Sequence, residues 1–350
     1  MSEVQASTAS VPGGVGTDAG PATRAARAPG RRSYGPMLAK RFGVAVLLLI
    51  LLSFISFSLL AVSPGDPARL LLGTRPSTPA NLAAIRAEFH LNASFFGQYW
   101  YWLQGVLQFN FGRSIATLAP VGPMLASHLG ASFELAVVGF IVAVGGGIAL
   151  GMIAAVWQER LIDRTIVALS IVGVSAPAFV TGIALMIVFS NDLHWLPSYG
   201  TGNGNVFNTL GHLILPGISL GLGAMALVLK ITRSAMIREL SSDYVTFARA
   251  RGASTRRVLF SYALRNALIP IVTSSGLVFS FLIASAVLVE VVFNVPGIGS
   301  MLVSGVTAHD IPVVQASTLA LGAIVIVVNL VTDVLYLFID PRVHLKGAAV

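Results

Sequence analysis

Six apolar stretches, each long enough to cross a hydrocarbon layer, divide the chain, and the polar residues gather between them. The first runs from Phe42 to Val62, 21 residues without a charge. A helix needs about 20 such residues to span roughly 30 Å of hydrocarbon. The run is too long for a signal-peptide core and has no clear cleavage site, so it reads as a retained signal anchor. Five more follow at about 135–156, 165–189, 213–229, 267–289 and 313–332. Pro177, Pro216 and Pro270 fall inside the third, fourth and fifth. Membrane helices tolerate proline where neighbours satisfy the freed carbonyls, so all three spans are expected to hold. The pattern predicts an all-α integral membrane protein with six transmembrane helices.

The polar segments differ in kind. Residues 1–35 are Ala, Gly, Ser, Thr and Pro with scattered Arg and no apolar period; such a segment buries too little surface to offset its ordering entropy and reads as a disordered tail. The Arg-rich, acid-poor start is also compatible with a transit peptide, but no amphipathic stripe accompanies it. The segment 63–134 is long and carries an aromatic cluster (Phe95, Phe96, Tyr99, Trp100, Tyr101, Trp102) suited to a membrane interface. The loop 233–266, between the fourth and fifth spans, is basic and long.

Composition agrees with this class: 55% hydrophobic residues and 10% charged, against about 25% charged in soluble domains. The net charge of +8 does not indicate nucleic acid, because the charges lie in short stretches between apolar runs instead of on one basic face. They report orientation instead. With the N-terminus inside, 18 of the 22 basic residues are cytoplasmic, leaving Arg69, Arg75, Arg86 and Arg113 outside. The positive-inside rule therefore predicts that both termini are cytoplasmic. The chain has no cysteine, which removes disulfides and thiolate metal sites, and its six histidines show no metal-ligand spacing. It lacks a Gly-x-x-x-x-Gly-Lys-Ser/Thr phosphate loop, so no ATP site is expected here.

Within 233–266, Ser241-Ser242-Asp243 signals a helix start before Tyr244, Val245, Phe247 and Ala248. Gly252 follows, a residue that permits positive φ and a sharp reversal. Ser254 can then cap a second helix with Val258, Leu259, Tyr262 and Ala263 on its apolar side. The residues predict a helix–glycine–helix knuckle on the cytoplasmic side, suited to transmitting force from a partner. On composition alone the segment is equally an ordinary inner loop obeying the positive-inside rule.

The stretch DYVTFARARGAS…RRVLFSYALRNALIP resembles the cytoplasmic EAA loop of ABC-importer permeases, in the form found in the oligopeptide/dipeptide/nickel permease family. Asp243, Tyr244 and Val245 match the start of that motif, Ala248, Ala250 and Gly252 its small-residue core, and Arg265, Asn266 and Pro270 its exit. Many ABC permeases have Leu-Pro where this chain has Leu264-Arg265, a departure typical of the peptide branch. Pro64-Gly65-Asp66-Pro67, FNFGRS at 109–114, VEVVFNVPGIG at 289–299, DIPVVQ at 310–315 and Asp340-Pro341-Arg342 extend the resemblance over about residues 38–345. It implies a coupling helix between the fourth and fifth spans, a heterodimer with a second related permease, two cytoplasmic ATPase subunits that carry ATP and Mg, and an extracytoplasmic substrate-binding protein. It also implies import of dipeptides, oligopeptides, nickel chelates or similar solutes across a prokaryotic plasma membrane. Glu290, Asn294, Pro296, Gly297, Gly299 and Asp310 are the candidates for the outer mouth and for contact with the binding protein.

Other patterns carry less. Gly217-Ile218-Ser219-Leu220-Gly221 matches a serine-nucleophile motif, but inside an apolar span such residues serve close helix packing. Gly147 to Gly151 reads the same way. Glu134 and Asp333, near span ends, suit interfacial or packing roles, and Lys230 snorkels. An ATP-independent secondary transporter or channel is the alternative of another class, although no half-repeat or midplane charge supports it.

Overall fold

A computed structural model describes residues 35–62, 65–73, 75–202 and 204–339. The N-terminal tail before residue 35, Pro64, and the Asp340-Pro341-Arg342 motif lie outside the described residues. Among those described, the chain is helical and has no strand; its one isolated bridge joins Arg113 and Pro120.

The long apolar helices are α1 (Gly35–Val62), α5 (Val121–Val156), α8 (Val206–Leu240), α11 (Arg265–Val292) and α13 (Ile311–Ile339). The segment between α1 and α5 folds into α2 (Pro67–Leu72), α3 (Pro79–Glu88) and α4 (Phe95–Leu107). Its caps were written in the sequence: Asp66 and Thr78 accept from Ala68 and Asn81 backbone N–H groups at 3.0 and 3.2 Å, each just ahead of a proline at the first helical position. The aromatic cluster divides between two roles. Phe95, Tyr99 and Trp102 pack on Phe54 and Phe57 of α1, Phe96 stacks on Phe54 with its other face exposed, and Trp100 and Tyr101 stay exposed.

Five helices are long and apolar enough to cross a membrane, or six if a bent pair counts as one. That pair corrects the expectation of one helix over 165–189. It consists of α6 (Leu161–Ser175) and α7 (Ala178–Leu185), the latter continued by a wide π turn over Met186–Asp192, with a bend of 106° between the halves. Pro177 has no N–H to donate and pushes Ala176 out of the helical region, to φ −88° and ψ 128°. Pro216 and Pro270 sit within continuous helices, as expected.

Every long helix except α1 and α13 packs on α8, the most buried of them. Small residues set the closest crossing. A Cβ on Gly147 would lie 2.6 Å from Val228 Cβ, one on Gly151 2.8 Å from the Leu229 carbonyl, and one on Gly221 2.7 Å from the Gly139 carbonyl. Partners rise in number together, so α5 and α8 run parallel. The 157–164 turn and the 233–266 segment therefore share one end of the bundle. The opposite end holds residues 65–120 and the turn after α11. On the near-end side, α1 and α13 are antiparallel and close with an Arg41–Asp333 ion pair.

Candidate functional site

At the basic end, α8 stops at Leu240 and α9 (Asp243–Ala250) begins after Ser242. The Ser242 hydroxyl does not cap α9; it donates back to the Glu239 carbonyl at 2.6 Å. Asp243 instead places a carboxylate in the first turn, where the helix dipole favours it. α9 ends in a Schellman motif: Gly252 N–H donates to the Arg249 carbonyl (2.9 Å) and Ala253 N–H to that of Ala248 (3.1 Å). Gly252 sits at φ +82° with nothing within 4 Å of a Cβ, so backbone angle alone favours glycine there. Ser254 caps α10 (Thr255–Arg257) by accepting from Arg257 N–H, and a π turn over Val258–Leu264 leads into α11. Val245, Val258 and Ala263 are buried beneath the knuckle, Leu259 and Tyr262 half-buried.

The knuckle is laced at its base. The Tyr244 hydroxyl donates to the Glu239 carboxylate and accepts from Asn266 Nδ2 at 2.9 Å, joining the end of α8, the start of α9 and the start of α11. Desolvation, and then the Glu239 carboxylate, raise the Tyr244 phenol above the ordinary tyrosine value, so it remains a donor at neutral pH. Ala248 and Pro270 are half-buried. Asp243, Ala250, Arg265 and Phe247 are exposed, and Phe247, at 69% exposure, is the most exposed large apolar side chain of the knuckle, ahead of Phe260. Beside it, Arg233 grips the buried Asp163 carboxylate through two 2.6 Å hydrogen bonds, and Asp163 also accepts from Glu159 N–H at 2.9 Å. This pair ties the 157–164 turn to α8.

At the far end, α11 closes on the turn 293–297, followed by α12 (Ile298–Thr307). Glu290 is buried; its carboxylate accepts from Ser132 Oγ (2.7 Å) and from Ser300 N–H (3.0 Å), at the head of α12. Ser132 Oγ in turn accepts from Ile298 N–H at 2.8 Å. Asp310 is buried as well: it accepts from Ser114 Oγ and from Ala116 N–H (3.1 Å), so the FNFGRS and DIPVVQ motifs meet at one carboxylate. Of the six outer-mouth candidates, Glu290, Gly297, Gly299 and Asp310 are thus enclosed by the chain itself, and Asn294 and Pro296 face outward.

Ser219, of the G-x-S-x-G pattern, is fully buried in α8 and donates to the Pro216 carbonyl at 3.3 Å. Asp163, Arg233, Ser132, Ser114 and Glu239 were not singled out by the sequence. Asp163 had a signal, an acid between Arg160 and Arg164 in a short basic turn, and Ser114 had one as the last residue of FNFGRS; Ser132 had none.

Two family models together match most of the chain: "Binding-protein-dependent transport system inner membrane component" over residues 147–345, and the N-terminal model for such membrane components over residues 36–142. Among curated relatives, the glutathione transport system permease protein GsiC of Salmonella choleraesuis is 38% identical over 307 residues, 88% of this chain and 98% of its own length. The protein of the same name from Escherichia coli K12 is 37% identical over the same share. Among solved structures, an inward-facing form of the MetNI methionine ABC transporter aligns with TM-score 0.51 and 15% identity, over 62% of this chain and 96% of that one, a likeness of fold. With helices of membrane-spanning length, a match across both halves and relatives above one-third identity, the chain belongs to the binding-protein-dependent transport system inner membrane component family and is a multi-pass permease subunit of a type I ABC importer, of the peptide/nickel branch.

Proposed function

We propose that this chain forms one half of the translocation pathway for short peptides in an ATP-driven importer of the cytoplasmic membrane, and that residues 243–270 couple it to a separate ATPase. The observation that carries the coupling role is the knuckle: a short helix closed at its C-terminal end by a Schellman motif, with an exposed Phe247, held between α8 and α11 by the Glu239–Tyr244–Asn266 link. A push on α9 is thereby delivered to two long helices at once, which is what a switch between two packed states requires.

In this reading the bent α6–α7 pair counts as one span, giving six, with both termini on the cytoplasmic side beside the basic knuckle. ATP and Mg bind to two partner ATPases, and this chain catalyses nothing itself. A second permease completes the pathway, and an extracytoplasmic binding protein delivers substrate near Asn294 and Pro296. Short peptides are favoured as cargo because curated relatives 37–38% identical to this chain are named for glutathione transport.

The test is to co-purify the chain with its partners and follow ATP hydrolysis and peptide uptake before and after Gly252→Val. A β-branched residue at φ +82° is strained, by about 1–2 kcal/mol. Wild-type complex is expected to hydrolyse ATP in response to loaded binding protein; the variant is expected to assemble poorly or hydrolyse without uptake. Transport by the chain alone, with no ATPase attached, would replace this reading with an ion-coupled or channel mechanism.

A further inference from the structure

The outer segment encloses a cavity of about 510 Å³ between the end of α1, α3, α4, the 109–120 turn and the start of α13. Pockets that hold small ligands measure about 300–1,000 Å³ and combine apolar walls with a few convergent polar groups. This one has both. Its aromatic wall is fixed in place: Tyr101 stacks on His90 with ring centroids 4.0 Å apart, and Trp102 packs on Phe57 at 5.6 Å.

Its polar groups are of complementary kinds. Gln315 is only 5% exposed; its Nε2 donates to the Phe57 carbonyl at 3.2 Å, while its side-chain oxygen has no partner among the described residues. Gln98 likewise spends Nε2 on the Leu91 and Ala93 carbonyls, at 3.1 and 2.9 Å, which leaves an acceptor. Two acceptors beside aromatic walls suit a ligand rich in N–H donors. Glu88 and Arg113 line the same cavity, and neither is ion-paired among the described residues, although Arg86 and Asp66 nearby are paired. An unpaired anion and an unpaired cation on one cavity match the two ends of a zwitterion.

We infer that this cavity is a receiving site for a short zwitterionic peptide, with Glu88 taking the ammonium end, Arg113 the carboxylate end, and Gln98 and Gln315 the amide N–H groups. The inference rests on the short-peptide reading and places a first contact for cargo in the permease's outer segment, opposite the knuckle.

Calorimetric titration of the full chain in lipid nanodiscs tests it, with trialanine, N-acetyl-trialanine and trialanine amide as probes. Saturable trialanine binding is expected. Arg113→Gln should weaken trialanine at least about tenfold and leave the amide unchanged; Glu88→Gln should weaken trialanine and leave the N-acetyl peptide unchanged. Both residues are exposed, so the variants are expected to fold, and an unchanged unfolding temperature checks it. Absence of saturable binding overturns the site. So does equal weakening of all three peptides, or displacement of trialanine by a neutral acyl-chain amphiphile with no dependence on either charge. Peptide uptake by the assembled importer separates the two readings: uptake unaltered in the double variant overturns the site but not the importer, and trialanine binding without any uptake overturns the importer but not the site.

Discussion

The Ser132 hydroxyl, in the first half of α5, donates a 2.7 Å hydrogen bond to the Glu290 carboxylate at the end of α11, across 158 residues of sequence. Both groups are buried, and both also accept backbone N–H groups from the first turn of α12. A helix N-terminus carries unsatisfied donors and partial positive charge, so an anion beneath it satisfies both needs. The turn is built around that carboxylate: a Cβ on Gly297 would lie 2.3 Å from Glu290 Cδ, and one on Gly299 2.5 Å from Val287 Cα.

Glu290→Gln tests this arrangement with little change of shape. The amide brings N–H donors to a place already facing N–H donors, so one buried group loses its partner at about 1–3 kcal/mol. The unfolding temperature of the chain in nanodiscs should fall clearly, and Ser132→Ala should lower it by a similar amount. If Glu290→Gln melts like wild type, the carboxylate is not what holds α12.

The α5–α8 contact predicts a graded series of glycine substitutions. Gly147→Ala and Gly221→Ala each place a Cβ within 3 Å of the facing helix and force the pair apart, costing about 1–3 kcal/mol through overpacking. Gly145, on the same helix, has nothing within 4 Å of a Cβ, so Gly145→Ala should be harmless. Yield of folded protein and thermal stability measure the difference; equal tolerance at all three positions would contradict the crossing described.

Arg233 and Asp163 form a third test. Removing Arg233 strands the buried Asp163 charge, and because the Arg233 side chain itself is partly exposed the cost is about 1–3 kcal/mol, below that of a fully buried pair. Arg233→Gln and Asp163→Asn should therefore each destabilise the chain, and the double variant should cost much less than their sum. Additive losses in the double-mutant cycle would mean that the two residues act independently despite the two 2.6 Å bonds.

How far the sequence disclosed this molecule follows from what kind of force places each residue. The long helices were visible because apolar run length is a one-dimensional property, although the helices outrun their apolar windows: α8 continues past Lys230 to Leu240 because its lower half packs on neighbours. The knuckle was legible because Gly252 and Ser254 act locally, through φ and a cap. The break at Pro177 was not, because Pro216 and Pro270 carry the same letter and stay helical; the context in which freed carbonyls are satisfied differs, and that is tertiary. The roles of Ser132 and Ser114 were hidden for a related reason: their partners, Glu290 and Asp310, lie 158 and 196 residues away. The mouth candidates came from the family resemblance of the 289–299 and 310–315 stretches, and four of the six are enclosed by the chain itself.

The last prediction concerns the lacing of the knuckle, where stability and coupling should come apart. Tyr244→Phe keeps the ring and removes the hydroxyl that joins Glu239 to Asn266. The site is exposed, so the stability cost should be small, about 1 kcal/mol or less. The link, however, is what makes α9 move with both α8 and α11 in the proposed mechanism. Tyr244→Phe complexes should therefore assemble normally and retain ATP hydrolysis while peptide uptake per ATP falls several-fold. Asn266→Ala should do the same by cutting the other half of the link, and the double variant should be no worse than either alone. Uptake and hydrolysis that decline in parallel, in either variant, would place the fault in docking or assembly and remove the link from the coupling path.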